Sequence, residues 1–300
     1  MLRHLLPLAF LPIGLPMHAQ SGPVYHWALD ESNGVTAAPV AGASTGVLQN
    51  GVVWDPDGGH HQGAARFDGV DDRILLGPCD LLNGGTAITL SCWVKPDFVT
   101  GMERTLMAKS AAGGELTWSV SFVQASALRF RLRTGGTVTE LTTPPSSLFG
   151  GQWYHLVAAY DGAQMRLYTN GALMAATSAT GAIGIAPQQN AALGATSSGS
   201  APFSGWIDDV RIYDRALSDT EIITLLFETL TTATAESPTF NADGGPWRQA
   251  FLIDPTGRVL HEPALLRSGT SLPPHTLTAG VYTLCLVGDQ GRTVRRFVVP

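Results

Sequence analysis

The sequence has little charge. Of its 300 residues 14% are Asp, Glu, Lys or Arg, and the formal net charge is −6. The main body has no basic excess: residues 20–237 carry 11 Lys and Arg against 20 Asp and Glu, a net of −9 (11 − 20). That balance excludes general nucleic-acid binding, which needs a basic surface, and is compatible with divalent cations. Residues 238–300 differ, with 6 Arg against 4 acids and a net of +2 (6 − 4). Cysteine is scarce too. Cys79, Cys92 and Cys285 form no C-x-x-C pair, which excludes the common zinc motifs. Cys79 and Cys92 are close enough in sequence to pair in an oxidising compartment, and spacing alone leaves that open. Cys285 lies in an apolar strand and reads as a small buried hydrophobe. No G-x-S-x-G elbow and no H-E-x-x-H helix occurs, which removes those hydrolase classes.

Long apolar runs are missing as well. The run Leu5 to Leu15 is broken by Pro7 and Pro12 and is too short to span a bilayer. Arg3 and His4 precede it, and Met17-His18-Ala19 follows as a cleavage site before Gln20. Residues 1–19 therefore read as a secretory signal. The expected mature protein is soluble and exported.

Turn formers and short strand-like runs are plentiful. Thirty-four Gly and 19 Pro punctuate the chain. Strands are expected at Val24 to Asp30, Val47 to Trp54 around Asn50-Gly51, Arg73 to Leu76, Ala87 to Val94, Arg104 to Lys109, Leu116 to Val123 and Leu128 to Arg133. The spacing of about ten residues is that of a β-sandwich. Trp153 to Tyr160 and Gln164 to Tyr168 flank Asp161-Gly162, a hairpin signal, and Asn170-Gly171 is the next such turn. Ala191 to Ala195 is a further short strand. Ser218-x-x-Glu221 is a capping box before Ile222, Ile223, Leu225 and Leu226, which predicts a short amphipathic helix ending near Thr229. Thr231 to Pro238 reads as a linker. Beyond it, Trp247 to Ile253, Arg258 to Leu260, Val281 to Val287 and Thr293 to Val299 predict a second, smaller all-β unit.

The stretch Phe203 to Leu217 organises the rest. In Ile207 to Tyr213, strict alternation puts Asp208 on one face with Val210 and Ile212, and Asp209, Arg211 and Tyr213 on the other. If Val210 and Ile212 face the core, Asp208 lies at its edge. A carboxylate there must be hydrogen-bonded, paired or bound to a metal. Backbone capping and calcium ligation are the two main readings, since hard oxygen ligands suit that ion, and catalysis is the third.

The block from Val24 to Phe227 resembles the laminin-G-like, concanavalin A-like jelly-roll family. Five pieces carry the resemblance, in order: Ala64 to Asp72 (AARFDGVDD), Ile88 to Val94, Trp153 to Ala158, Arg166 to Gly171, and Gly205 to Tyr213 with Ala216-Leu217-Ser218. The resemblance implies an all-β fold of two packed antiparallel sheets, a structural calcium, and binding of glycans or proteins. It places the calcium between the acidic end of the first strand and the late "IDD" strand, here Asp30 and Asp208, with Asn33 and backbone carbonyls completing the shell. Asp30 reads equally well as the start of an Asx-type turn, and Asp71-Asp72 as a turn or an alternative ion site. Ser237 to Pro300 is similar to the C-terminal sorting domain of the type IX secretion system, through Asp254 to Val259, Leu277 to Tyr282 and Arg295 to Val299. That resemblance implies export across an outer membrane by the secretion machinery, then release or surface attachment. The resulting division is 1–19 signal, 20–229 jelly roll, 230–237 linker and 238–300 sorting domain.

Arg129, Arg131 and Arg133 alternate with Leu128, Phe130 and Leu132. They are candidates for holding the acidic groups of a glycan, or a solvated row paired with acids on the next strand. His60-His61 reads as an exposed loop pair and His155 as a structural histidine. Tyr213 and Trp118 are candidate stacking aromatics. Jelly-roll glycosidases set two carboxylates on one strand face, whereas alternation sends Asp208 and Asp209 opposite ways. The expected role is a non-enzymatic module that binds polysaccharide or a surface glycoprotein. The alternatives are an adhesive scaffold and, more remotely, a divergent hydrolase.

Overall fold

The structure is a computed structural model of the chain. It describes residues 22–98, 101–111 and 113–227, together with the backbone of four strands beyond residue 246. The expected signal and linker lie outside the described residues. Strands are numbered in chain order. β1 is Tyr25–Trp27, β2 Thr36–Ala37, β3 Gly46–Gln49, β4 Val53–Asp55, β5 Ala64–Asp68 and β6 Arg73–Gly77. β7 is Ile88–Pro96, β8 Arg104–Ser110, β9 Leu116–Val123, β10 Ala127–Thr134 and β11 Thr137–Thr142. β12 is Tyr154–Tyr160, β13 Gln164–Thr169, β14 Ala172–Ser178, β15 Ala191–Leu193 and β16 Ser204–Tyr213.

These strands form two eight-stranded antiparallel sheets. The first runs β14-β13-β12-β7-β16-β5-β4, with β1 also paired to β16. The second runs β11-β10-β9-β8-β15-β6-β3-β2. Inward residues of both sheets make one apolar core, including Phe67, Leu90, Val94, Ile207, Val210 and Ile212 from the first and Ile74, Trp118, Phe122, Phe130 and Leu132 from the second. Alternation explains the second sheet well: β10 reads Leu128, Phe130 and Leu132 inward, with Arg129, Arg131 and Arg133 half-buried on the outside. This is the concanavalin A-like jelly roll, and the all-β expectation holds.

The helix α1, Asp219–Phe227, closes one end of the first sheet's outer face. Its capping box forms as the sequence predicts: Ser218 N donates to Glu221 Oε2 at 2.7 Å, and Glu221 N donates to Ser218 Oγ at 3.3 Å. Ile222 and Leu225 pack with Val157, Tyr168, Tyr213 and Leu217. Tyr213 and Trp118, candidates for stacking on a ligand, are both buried: Tyr213 lies under α1 and Trp118 in the main core. Cys79 and Cys92 are free thiols, both buried. Burial pushes both upward, Cys79 to about 12. Four more strands, β17 Trp247–Ile253, β18 Val259–Leu260, β19 Gly280–Gly288 and β20 Gly291–Val299, form an antiparallel sheet in the order β18-β17-β19-β20. The side chains of that unit, Cys285 among them, lie outside the described residues.

Candidate functional site

The late strand β16 is irregular where its acids lie. Against β7, Asp208 pairs with Trp93 and Arg211 with Ser91, so two residues on β16 oppose one on β7. That is a β-bulge. Asp209 supplies it by taking a φ of 47°, a left-handed conformation that aspartate tolerates better than most residues. The bulge corrects the reading from alternation. Ile207, Val210 and Ile212 all reach the core, whereas Asp208 shares the opposite face with its cross-strand partner Trp93. Asp209 joins it there, because it bonds His26, whose partner Arg211 is on that same outer side. The two acids therefore lie on one face and not on opposite ones.

The connection between β4 and β5 folds over this face. The His60 ring stacks on Trp93, with ring centroids 3.4 Å apart and an interplanar angle of 10°. His61 Nε2 is 2.6 Å from His60 Nδ1, and Trp153 meets the His60 ring edge-on at 5.9 Å. Beneath the loop, His61 N donates to Asp208 Oδ2 at 2.9 Å and Gly63 N donates to Asp30 Oδ1 at 3.0 Å. Gln62 Nε2 also donates to Asp30 Oδ2 at 3.2 Å. The structure thus brings Asp30 and Asp208 together through one short segment. Asn33 does not join them by a hydrogen bond: it is exposed, and its Nδ2 donates to Ser32 Oγ. His155, on the next strand, is buried on this same face, with its ring 5.2 Å from that of Trp93, and bonds Ser91 at 2.9 Å.

Electrostatics separate the acids. Burial drives the Asp208 carboxyl up to about 8, and the charges of Asp209 and Asp30 push the same way against the loop N–H bonds. Burial and neighbouring acids raise Asp30 as well. Burial also acts on Asp209, but the His26 bond of 2.7 Å and the Arg211 guanidinium at 3.1 Å hold its carboxyl below the usual range. Asp208 Oδ1 is buried and makes no well-aligned hydrogen bond, although the His60 N–H also leans toward the carboxyl. An orphaned carboxylate oxygen beside a second acid fits a hard cation. Asp208 Oδ1 and the Asp30 carboxylate are the groups that would hold it, and the ion would supply the positive charge that buried Asp208 and exposed Asp30 lack.

Next to the covered acids the same face is open. Trp206, two residues before Asp208, is half-buried. The Arg66 guanidinium lies 4.3 Å from the centre of its ring and Lys95 Nζ 4.6 Å, and its Nε1 donates to Asp55 Oδ2 at 2.8 Å. Arg66 also pairs with Asp97 at 2.7 Å. Trp153, His60, His61, Trp206, Arg66 and Lys95 are all half-buried, and they form a polar-aromatic surface across β12, β7, β16 and β5. Sequence reasoning missed Trp206 and the histidine stack. Gly58 and Gly59, which let the loop turn back on itself, were the available signal.

The arginine row sits on the outer face of the other sheet, and each member already holds an acid. Arg129 pairs with Glu103 at 2.5 Å, Arg131 with Glu140 at 2.5 Å, and Arg133 with Glu115 at 2.5 Å. A cavity of about 460 Å³ lies between β1, β16 and α1, lined by His26, Arg211, Tyr213, Arg215 and Glu221 among others. Its arginines are also tied, Arg211 to Asp209 and Arg215 to Glu221 at 2.6 Å.

Comparison with known proteins supports the fold. Domain 4 of AbnA, a GH43 extracellular arabinanase from Geobacillus stearothermophilus solved with arabinotriose, matches with a TM-score of 0.50 at 20% identity, covering 68% of this chain and 98% of that one. The binding domain of Paraclostridial Mosquitocidal Protein 1 matches at 0.57 and 15% identity, over 89% of this chain and 64% of that one. Trypanosoma rangeli sialidase in complex with sialic acid matches at 0.53 and 18% identity, over 69% of this chain and 33% of that one. At these identities the likeness is one of fold. The chain thus spans less than two thirds of the mosquitocidal domain and a third of the sialidase. No curated protein matches the chain. The Laminin_G_3 family profile covers residues 68–223, more than half of the sequence, so the chain belongs to the concanavalin A-like lectin/glucanases superfamily.

Proposed function

We propose that this protein is an exported carbohydrate-binding module that takes a polysaccharide or surface glycoprotein glycan across the outer face of its first sheet. The carrying observation is the half-buried Trp206, flanked by Arg66 and Lys95 and adjoining the His60-Trp93-Trp153 stack. Arg66 and Lys95 lie over the indole ring, so a sugar would meet the part of the ring they leave uncovered, with those cations and the nearby carboxylates reaching its hydroxyls. Solved relatives of the same fold that hold arabinotriose and sialic acid support a sugar ligand. The arginine row is not part of the proposed site, because its charge is balanced. Calcium at Asp30 and Asp208 would hold the loop that carries His60 and His61 against the sheet.

Binding is favoured over hydrolysis by the state of the acids. Asp208 is 1% exposed beneath the loop and Asp209 is 8% exposed and held by His26 and Arg211, so neither carboxyl is within reach of a sugar laid across the outer face. Residues 238–300 complete the proposal as a sorting tail that sends the module through a type IX secretion machinery to the outer-membrane surface or beyond. A glycan array probed with the purified protein, with and without chelator, tests the reading. Retention on a defined glycan class supports it. Absence of retention together with cell adhesion would replace it with an adhesive scaffold, and release of free sugar would replace it with a hydrolase.

A further inference from the structure

The corner between β5 and β6 is where the chain leaves one sheet for the other. Its residues are Asp68-Gly69-Val70-Asp71-Asp72. Asp68, Asp71 and Asp72 each bring a carboxylate oxygen within 4.8 Å of the others. Calcium–oxygen bonds are about 2.4 Å long, so oxygens that close can share one ion.

Local hydrogen bonds hold this corner without neutralising it. Asp68 N donates to Asp72 Oδ2 at 2.9 Å and Val70 N to Asp68 Oδ1 at 2.8 Å. Asn50 Nδ2 donates to the Asp71 carbonyl at 3.0 Å, which ties in the Asn50-Gly51 turn. Among the described residues, no ion pair includes any of the three acids. The Arg104 guanidinium donates to carbonyls instead, of Gly69 at 3.3 Å and Pro202 at 2.8 Å.

Asp72 adds a second observation. It is 1% exposed, and its Oδ1 is buried with no donor. A Cβ placed on Gly51 would stand 3.1 Å from that oxygen, so Oδ1 faces the Asn50-Gly51 turn that holds Asp71. A tight turn explains the bonds of Asp68 and Asp71. It does not explain an unsatisfied, buried carboxylate oxygen beside two further acids, which is costly unless a cation is supplied. We propose that Asp68, Asp71 and Asp72 form a calcium site that pins the corner joining the two sheets. The ligands are all hard oxygens, with the buried Asp72 carboxylate as the inner one and the exposed Asp68 and Asp71 carboxylates as the outer ones. This site is separate from Asp30 and Asp208 and does not depend on them.

The test is calorimetric titration of calcium into the metal-stripped full chain and into its Asp71→Asn, Asp68→Asn and Asp208→Asn variants. Asp68 and Asp71 are exposed, so their replacement by Asn leaves packing intact, which circular dichroism checks. Changes around a metal's direct ligands already cost about 10–100-fold in affinity, so loss of a direct ligand is expected to weaken one binding event at least about tenfold. That event should persist in Asp208→Asn and weaken in Asp71→Asn and Asp68→Asn. Equal calcium binding by the wild type and both corner variants overturns the proposal, and so does a wild type that binds no calcium. If Asp208→Asn does not fold, the wild type and the two corner variants decide the matter alone.

Discussion

The outer face of the second sheet carries charges that cancel, whereas that of the first buries an acid, Asp208, that no basic side chain pairs among the described residues. On β10, Arg129, Arg131 and Arg133 stand in regular alternation and each meets a glutamate. On β16 the alternation breaks, and the break gathers Asp208, Asp209 and Trp93 under a histidine loop beside the half-buried Trp206. Regularity produces a solvated, balanced surface. Irregularity produces buried charge and exposed aromatic area, both of which cost stability and are the usual marks of a site.

Substitutions sharpen the contrast. Trp93→Ala removes a wholly buried indole and the platform for His60, and should destabilise the fold by about 3–5 kcal/mol, read as a lower denaturant midpoint. A change under 1 kcal/mol would mean the His60 stack is not formed. Ser218→Ala removes one half of the capping box over the first sheet and should cost about 1 kcal/mol. Arg131→Gln removes an ion pair that is partly open to water, and should cost about 0.2–1 kcal/mol, an effect that shrinks further at high salt. A loss as large as that of Trp93→Ala would show that the second face is not the passive one.

The same helix supplies a pH prediction. Burial alone would raise Glu221, but bonds from the Ser218 N–H and hydroxyl, then Arg215, hold its carboxyl below the free value of 4.5. The stability it contributes is therefore present above pH 4.5 and lost as pH falls through the lower, folded value. Glu221→Gln should remove that part of the acid sensitivity in a pH series of thermal melts. An unchanged acid limb would contradict the capping geometry.

What could be read from the sequence follows the same division. Leu116 to Val123 is the strand expected, residue for residue, because its inward and outward positions alternate cleanly. The capping box needs only four residues in a row and was equally legible. β11 and β14 were not expected, since Thr137–Thr142 and Ala172–Ser178 are mostly exposed and lack an apolar alternation. Asp208 was rightly singled out as buried, yet placed on the wrong face. Alternation cannot register a bulge, and only the left-handed tolerance of Asp209 hinted at one. The His60-His61 loop looked like solvent-exposed chain because its partner, Trp93, is 33 residues away in sequence (93 − 60).

The most direct test is binding of an array-selected glycan to the wild type, Trp206→Ala and Arg131→Gln, measured by calorimetry under one set of conditions. A central aromatic contact contributes about 2 kcal/mol or more, roughly thirtyfold in affinity. The account predicts at least that loss in Trp206→Ala, with Arg131→Gln binding as the wild type does. Full binding by Trp206→Ala, or a loss confined to Arg131→Gln, would place the ligand on the other sheet and contradict it.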